Sequence, residues 1–259
     1  MANKSVDCKE ETLHTSKDTQ SDENKRIKLQ QIENEFLKIF NKLVGRYSKW
    51  NIWADFITIF ACSISNVLDK EHYEEREDLY KNIVKKYNTE ELNLFPQLMA
   101  QTFLALNNEP EQDFLGKMYM NLNLGNGVRG QFFTPYSICR LMAELIIDKD
   151  KTKEAIEKQG YITVNDPACG AGATLIAAYN ILKRDLNEIV PNAHNFIILS
   201  GQDIDQTVAL MCYIQLSTLG VPGYIKVGDT LCDPMTENDS LENYWFTPKY
   251  YNMRYAEKK

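Results

Sequence analysis

The chain of 259 residues has few of the side chains and patterns that mark metal sites and membrane spans. Its three histidines and six cysteines include no C-x-x-C pair, which argues against a structural zinc site and predicts no bound metal. The most apolar stretch, from Ile52 to Leu68, carries Asp55 and is too short to cross a bilayer, so it predicts a buried helix. No signal peptide is visible in the polar first residues, and we expect a cytoplasmic protein with reduced thiols and no membrane contact.

Positive charge is scarce as well. Lysine and arginine together number 29 against 36 aspartate and glutamate residues, which gives a formal net charge of −7. A protein with this balance has no general attraction for nucleic acid, because that attraction usually comes from a basic face. Any contact with DNA would need a local basic patch or a partner protein.

The hydrophobic pattern divides the chain into four segments. Residues 1–25 have almost no large apolar side chains and predict a disordered tail. Apolar residues recur at helical spacing through residues 26–124, which predicts an α-helical N-terminal region. Residues 125–231 predict an α/β domain, and residues 232–259 an aromatic-rich C-terminal tail whose rings dock in the core or stack on a base. The helices expected in the second segment are Ile27–Tyr47 (for packing, or for a coiled contact with a partner), Trp50–Leu68, Tyr73–Tyr87, Glu90–Leu106 and Glu111–Leu122.

One stretch, Tyr161 to Leu182, combines a strand, a turn and a helix. It reads YITVNDPACGAGATLIAAYNIL, in which an apolar strand runs into a turn with Gly170 and Gly172 and then into helical spacing. In an open α/β sheet such a turn lies at the carboxyl end of a strand, where glycines and free helix N–H groups let a ligand approach. The stretch therefore predicts a site for a small ligand.

Two further strands, Asn195–Ser200 and Tyr224–Val227, complete a predicted parallel sheet. Acidic residues stand at the ends of all three strands, namely Asp166, Asp203 and Asp229, and parallel strands bring such residues to one crevice. The turn D-P-A-C-G-A-G lacks the G-x-G-x-x-G spacing of a dinucleotide site and begins with an acid, so the ligand should carry hydroxyls, amines or a cation rather than phosphates. S-adenosylmethionine meets these demands.

A glycine-rich connector with Gly125, Gly127 and Gly130 precedes this unit and ends in GQFFTP. Taken alone it is typical of an ordinary loop, with Thr134 as the cap and Pro135 in the first turn of the next helix. Its position before the Tyr161 strand favours a functional loop. The buried face of the following helix is expected to consist of Ile138, Leu141, Met142, Leu145 and Ile146.

These two motifs carry a resemblance to a known family. The segment NDPACGAGATL (Asn165–Leu175) resembles the cofactor-binding motif of the amino-methylating DNA methyltransferases, and GQFFTP resembles the preceding motif in methylation subunits of type I restriction systems. The likeness covers about Glu111 to Leu231. It implies an α/β class protein with a partial Rossmann-like S-adenosylmethionine-dependent methyltransferase fold, preceded by an α-helical N-terminal region.

The resemblance also implies roles for individual residues. Asp203 would bind the ribose of S-adenosyl-L-methionine, and Asp229 would lie near the adenine amino group. The methionine part would be covered by Gln131, Phe132, Phe133, Thr134 and Pro135, and its amino acid end would be held by Asp166, Ala168, Cys169, Gly170, Ala171 and Gly172.

The catalytic tetrapeptide of that family, an Asp, Asn or Ser followed by Pro-Pro and an aromatic, should follow the third strand and hold the flipped base. The chain has no such sequence, and the nearest segments, Cys232–Met235 and Phe246–Lys249, lack the double proline, so catalytic residues are unknown. The leading interpretation is an adenine-N6 DNA methyltransferase. Its alternatives are a catalytically inactive S-adenosylmethionine-binding regulatory or partner subunit and a helical protein-interaction module.

Only about thirty residues follow Asp229, fewer than the remaining strands of a methyltransferase sheet require. The Tyr161 strand is therefore expected at or near an exposed edge, which the N-terminal helices, the tail or another chain would cover. The expected partners are DNA, by resemblance, and either a second copy of the chain in a homo-oligomer or a specificity or other partner subunit.

Overall fold

A computed structural model describes residues 7–125, 132–187, 192 and 195–256. Within these described residues eight helices come before the sheet, and the sheet strands then alternate with helices up to a last strand and helix. The elements in chain order are α1 (Asp7–Leu43), α2 (Lys49–Ser65), α3 (Tyr73–Val84), α4 (Thr89–Leu92), α5 (Leu94–Asn108), α6 (Phe114–Asn121), α7 (Tyr136–Ile146), α8 (Lys149–Gln159), β1 (Ile162–Asp166), α9 (Ala173–Asn187), β2 (Ile197–Asp203), α10 (Gln206–Thr218), β3 (Gly223–Val227), β4 (Tyr244–Phe246) and α11 (Pro248–Ala256).

The helices of the N-terminal region confirm the prediction made from hydrophobic periodicity, although some helix ends are shifted. Asn88 caps α4 in a capping box with Glu91, so the predicted start near Glu90 is correct, but Asn93 separates α4 from α5. The helix predicted from Glu111 begins at Phe114, because Asp113 serves as its N-cap and its side chain accepts a hydrogen bond from the backbone N–H of Gly116.

Helix α1 begins within residues 1–25, the segment for which composition predicts a disordered tail. The structure places residues from Asp7 onward in α1, and residues 1–6 lie outside the described part of the chain. Lysine, glutamate and glutamine have high helix propensity, and extending a helix that is already packed avoids the cost of nucleation.

In the part of the chain that the structure describes, the sheet has four strands in the order β1-β2-β3-β4. The first three are parallel, with Ile162 opposite Ile197 and Leu199 opposite Gly223, and β4 is antiparallel to β3. Helices α9 and α10 connect the parallel strands, which confirms the predicted α/β class. Within the described residues β1 pairs only with β2, so the strand expected at an edge is an edge strand.

The aromatic-rich tail joins the sheet. Tyr244, Trp245 and Phe246 form β4 and are each at most 5% exposed, which confirms docking in the core for these three rings. Thr247 fixes the strand end, because its hydroxyl accepts from the Gly223 N–H at 3.0 Å and donates to the Val221 carbonyl at 2.7 Å. The tail thus adds a strand next to β3.

Helix α10 lies at the centre of the molecule. Its residues from Val208 to Leu216 are all buried, and it contacts α2, α5 and α6 on one side and β2, β3 and β4 on the other. Buried side chains of the N-terminal helices and of the α/β part consequently form one contiguous cluster. The helical region and the sheet share this core.

Helix α7 corrects one prediction from the sequence. The five apolar side chains expected to be buried are 44–77% exposed, and the helix instead buries Cys139 and Ala143 against α9. Small residues on both helices, among them Ala173 and Ala177, bring the two backbones close together. The larger side chains of α7 are therefore left on the outer surface. None of the helices in the described residues has the length and apolarity needed to cross a membrane.

Candidate ligand-binding site

A cavity of about 210 Å³ lies at the carboxyl ends of β1 and β2. It is bounded by the turn after β1, the end of β2, the first turns of α9 and α10 and the segment before α7. Its lining residues are Asp113, Phe132, Phe133, Thr134, Cys139, Asp166, Ala168, Cys169, Gly170, Ala171, Ala173, Thr174, Asp203 and Val208. The carboxyl edge of the parallel strands is where the sequence predicts the site.

The turn after β1 is held by hydrogen bonds from Asp166. One oxygen of this carboxylate accepts from the backbone N–H of Ala168 at 3.0 Å, and the other accepts from the Thr174 hydroxyl. The side chain therefore ties the end of the strand to the first turn of α9. Because both of its oxygens accept hydrogen bonds from residues of the turn and of α9, Asp166 stabilises the conformation of the turn.

Two glycines are needed for the path of this turn. Gly170 and Gly172 have φ values of +55° and +97°, which side chains other than glycine rarely adopt. A Cβ at Gly172 would lie 2.7 Å from the sulfur of Cys212, and one at Gly170 would lie 3.4 Å from the ring of Phe133. The turn consequently passes close to both α10 and the segment before α7.

Asp203 ties the end of β2 to the same turn. Its Oδ2 accepts from the Gly170 N–H and its Oδ1 from the Asp205 N–H, both at 3.0 Å. Burial raises the pKa of this carboxyl, and its backbone hydrogen bonds oppose the rise. The predicted residues Asp166, Gly170 and Asp203 therefore surround one cavity.

The segment before α7 forms the outer wall. Phe133 packs on the ring of Tyr119 with a centroid distance of 5.1 Å, whereas Phe132 is 71% exposed. Thr134 does not cap the helix as the sequence predicts, because Pro135 is the N-cap and no side chain makes a capping hydrogen bond. Gln131 lies outside the described residues.

Asp229 does not line the cavity. Its Oδ1 accepts from the backbone N–H of Leu231 at 2.9 Å, and hydrogen bonds of this kind lower its pKa. The neighbouring Thr230 hydroxyl donates to the Pro167 carbonyl at 2.5 Å, which links this turn to the turn after β1. The structure thus assigns Asp229 a role in shaping its own turn.

The cavity also contains a residue that the sequence analysis missed. Asp113 is only 8% exposed and reaches the cavity from the N-terminus of α6. In the sequence it has the signature of a helix cap and nothing more. With Asp166 and Asp203 it brings the carboxylates among the described lining residues to three, and these described residues include no lysine, arginine or histidine.

The two segments nearest to a catalytic tetrapeptide have structural contacts instead. The Thr247 hydroxyl holds the end of β4, as described above, and accepts from the Tyr250 N–H of α11 at 3.4 Å. The Pro234 carbonyl accepts from the ammonium of Lys226, which also bonds Asp233 and Asp239. Neither segment lines the cavity. In the described residues no cluster of three His, Cys, Asp or Glu side chains is suited to a metal ion.

Comparison with known families decides which class of protein contains this cavity. The sequence profile described as N-6 DNA Methylase matches residues 111–259, more than half of the chain. The chain belongs to the N-6 DNA methylase family. The cofactor implied by the sequence motifs, S-adenosylmethionine, is the cofactor of this family of methyltransferases. The match begins two residues before Asp113, so the cavity lies wholly within the matched region.

The curated relatives that this chain matches are much longer than the chain itself. The methylase subunit of the type I restriction enzyme MjaVII from Methanocaldococcus jannaschii is 31% identical over 108 residues, which cover 40% of this chain and 16% of the relative. The corresponding MpnII subunit from Mycoplasma pneumoniae is 27% identical over 141 residues, which cover 54% of this chain and 22% of the relative. The chain thus spans about a fifth of the length of these relatives.

Two solved structures show a partial likeness. A protein described as a class I S-adenosylmethionine-dependent methyltransferase from Listeria monocytogenes has a TM-score of 0.42 and 19% identity, over 83% of this chain and 56% of that one. The methyltransferase subunit of a type I restriction-modification system from Streptococcus thermophilus has a TM-score of 0.42 and 13% identity, over 82% of this chain and 61% of that one. At TM-scores below 0.5 neither likeness supports an argument about function.

Proposed function

We propose that this chain binds S-adenosylmethionine in the cavity at the carboxyl ends of β1 and β2 and takes part in methyl transfer to adenine N6 in DNA. One observation carries the proposal: the cavity is walled by the turn after β1 and by the segment before α7, and its described lining residues include three carboxylates and no basic side chain. The DNA substrate is supported by the relatives, which are methylase subunits of type I restriction enzymes. A specificity subunit would be the matching partner.

The lining residues fit the chemistry of this cofactor. A cavity with three carboxylates disfavours a phosphate and favours a ligand that carries a cation and hydroxyl groups. Asp203 lies at the end of the second strand, where an acidic side chain accepts hydrogen bonds from a ribose diol. Phe132 and Phe133 offer apolar surface at the cavity mouth.

When bound, the cofactor supplies an activated methyl group on a sulfonium centre. The residues of this chain hold and orient the ligand: Asp166 and Asp203 fix the turn around it, and Phe133 closes one side against Tyr119. Methyl transfer gains mainly from such positioning, because the acceptor amine needs orientation more than a strong base.

Isothermal titration with S-adenosylmethionine tests the proposal. Wild-type protein should bind, and Asp166→Ala and Asp203→Ala should bind at least about tenfold more weakly, because each loses a carboxylate that shapes the cavity. Asp150→Ala, which removes an exposed carboxylate in the first turn of α8, is the matched control and should bind like wild type. Absence of binding by correctly folded wild-type protein would overturn the proposal.

A second candidate function is a cofactor-binding subunit that does not catalyse transfer. The absence of a Pro-Pro-aromatic tetrapeptide from this chain favours it. Transfer of a tritiated methyl group to DNA, measured with the purified chain and again with added cell lysate, separates the two functions. Incorporation in either assay supports an enzyme or enzyme subunit, and cofactor binding without incorporation in both supports the second function.

A further inference from the structure

A second cavity, of about 410 Å³, lies between β3, β4, α11 and the loop that joins the two strands. It shares no described lining residue with the cavity at the carboxyl ends of β1 and β2. Its volume is within the range of about 300–1,000 Å³ that is usual for small-molecule pockets. Its walls include four aromatic side chains, Tyr224, Tyr244, Phe246 and Tyr250, and two charged ones, Glu237 and Arg254. We call this cavity the aromatic pocket.

The rings collect here because side chains alternate along β4. Trp245 packs on Tyr213 of α10, with ring centres 5.4 Å apart, so its neighbours Tyr244 and Phe246 lie on the opposite face of the sheet. On that face their rings are nearly parallel, with centres 6.0 Å apart and an angle of 16° between the planes. The ring of Tyr250 continues the row, at 5.8 Å and 15° from Phe246.

Two of the four rings keep surface for a ligand. Tyr244 and Phe246 are at most 5% exposed, whereas Tyr224 and Tyr250 are half-buried. The rings of Tyr224 and Tyr250 have centres 5.1 Å apart and planes at 52° to each other, and both line the aromatic pocket. A flat ring that stacks on one of them therefore meets the other at an angle, and both arrangements are favourable for aromatic pairs. The pair suits a planar aromatic ligand.

A basic segment adjoins the aromatic pocket. The chain has a formal net charge of −7, but residues 249–259 contain four basic side chains and one acidic one, namely Lys249, Arg254, Lys258 and Lys259 against Glu257. Arg254 belongs to α11, and its guanidinium lies 5.2 Å from the centre of the Phe246 ring. Proteins that bind single-stranded nucleic acid combine basic and aromatic residues in this way, because phosphates meet the charges while bases stack on the rings.

Glu237 indicates which part of a nucleotide enters the aromatic pocket. A carboxylate on the wall repels a phosphate, but it can accept a hydrogen bond from the exocyclic amine of a base. The base therefore fits the pocket itself, and the phosphates fit the basic residues of α11.

We propose that the aromatic pocket binds an unstacked base of single-stranded or locally opened DNA, with the base on Tyr224 and Tyr250 and a neighbouring phosphate at Arg254. This site gives the chain a local hold on DNA that its overall charge does not provide. The inference rests on the proposed function for the identity of the nucleic acid, and its test needs no cofactor.

Fluorescence anisotropy without S-adenosylmethionine compares a labelled single-stranded oligonucleotide with a strand of the same length that carries abasic sites. Wild-type protein should prefer the strand with bases, because the two strands have the same phosphates. Tyr250→Leu should bind that strand about 5- to 100-fold more weakly, the effect of losing one stacked base, and should lose most of the preference. Tyr250→Phe keeps the ring and should bind within about threefold of wild type. Tyr161→Leu, at an exposed tyrosine before β1, is the matched control and should bind like wild type.

Arg254→Gln tests the phosphate contact separately. It should weaken binding of both strands alike and reduce the slope of log affinity against log salt concentration by about 0.7, the value for one phosphate of a single strand. An unchanged slope would contradict the role of Arg254.

The other outcomes are distinct. Equal affinity of wild-type protein for the two strands, a Tyr250→Leu variant that keeps the preference, or no binding of DNA at all would overturn the inference. Tighter binding of free adenosine monophosphate than of the strand would assign the aromatic pocket to a free nucleotide and overturn it as well. Absence of S-adenosylmethionine binding in the calorimetric test would instead refute the proposed function. Circular dichroism establishes that the variants are folded.

Discussion

At the scale of single residues, Gly172 shows how closely the turn after β1 is fitted to α10. Its φ of +97° and the 2.7 Å that would separate a Cβ here from the Cys212 sulfur are two separate obstacles to any other side chain. Gly160, at the end of α8, has a φ of +80° but no atom within 4 Å of a Cβ. A comparison of substitutions at the two positions therefore distinguishes the energetic cost of backbone strain from the cost of steric overlap.

Gly172→Ala is expected to be the more damaging of two matched substitutions. Gly160→Ala should lower the free energy of unfolding by about 1–2 kcal/mol through its positive φ. Gly172→Ala should add a further loss of about 1–3 kcal/mol from overlap with Cys212 and abolish cofactor binding. Urea unfolding measures the first effect and calorimetry the second; equal costs at the two glycines would contradict the expected overlap.

Asp113 also predicts a pH effect on stability. Burial raises the pKa of its carboxyl, so the folded protein binds this proton more tightly than the unfolded chain does. Its favourable contribution is complete below the ordinary pKa of an unfolded aspartate, near about 4, and is lost as pH rises through the raised value. Its charge acts on the thiols of Cys139 and Cys212, and Asp166 and Asp203 line the same cavity.

Asp113→Asn should therefore stabilise the ligand-free protein at neutral pH. Thermal unfolding at about pH 7.5 should give a higher midpoint for the variant, by about 2–4 °C for each kcal/mol gained, and the difference should shrink towards about pH 4. A variant that is less stable than wild type at neutral pH would show that the carboxylate contributes more through its hydrogen bonds than it costs by burial.

The sequence predicts most of the cavity wall but not all of it. Asp166, Gly170 and Asp203 could be placed because strand ends and glycine turns have local signatures. Asp113 could not, since an aspartate before a helix predicts a cap whether or not the residue also lines a cavity. Asp229 shares the strand-end signature but lies outside the cavity lining, because its side chain folds back onto the N–H groups of its own turn.

At the scale of secondary structure elements, a buried arginine connects the N-terminal helices to β4. Arg76 of α3 donates to Asp69 at 2.7 Å and to the Tyr244 carbonyl at 2.6 Å, and its guanidinium lies 3.9 Å from the centre of the Trp245 ring. His72 adds hydrogen-bond contacts with Asp69 and with the Leu241 carbonyl. These contacts join elements that are about 170 residues apart in sequence.

Arg76→Met is expected to destabilise the protein strongly. It leaves the Asp69 carboxylate buried without its cation, which typically costs about 3–5 kcal/mol. The control Lys81→Ala removes an exposed ion pair on the same helix and should change the free energy of unfolding by less than about 1 kcal/mol. Chemical denaturation measures both variants, and a loss below about 1 kcal/mol for Arg76→Met would contradict the role assigned to the network.

Elements of strong periodicity were predicted well, and those fixed by distant contacts were not. Strands β1, β2 and β3 have apolar runs and turn residues of their own. Strand β4 has three aromatic residues that form a strand because β3 lies beside them, and α7 has an apolar face that points outward because small residues pack its other side. Hydrophobic periodicity identifies the apolar face of a helix or strand, but it does not identify the element that packs against that face.

At the scale of the whole molecule, an unpaired sheet edge lies near an exposed apolar surface. Within the described part of the chain, β1 has a free edge at residues whose side chains alternate between half-buried and exposed, and α7 presents Leu145 and Ile146 at 77% and 76% exposure. Both elements pack on α9. Free edges and apolar surfaces of this kind are typical of association with another polypeptide.

We therefore expect self-association over this surface. Light scattering across a range of concentrations should give a mass above that of the monomer, and Leu145→Glu should reduce it by placing a charge in the contact. Val67→Glu, at an exposed apolar residue between α2 and α3, should leave the mass unchanged. A monomer at every concentration would contradict self-association and leave a different partner subunit as the explanation.

The enclosed position of α10 has a consequence for how this protein can change over evolutionary time. Adding or deleting one residue within the helix would rotate everything after it by about 100° and carry Gln215 away from Asp113 and Ala171. Residues 228–243, between β3 and β4, are mostly exposed, and apart from the residues that bond Lys226, His72 and Pro167 they can change length without moving the core. Among related proteins, differences in length should accumulate there, while α10 diverges only by substitutions of matching size.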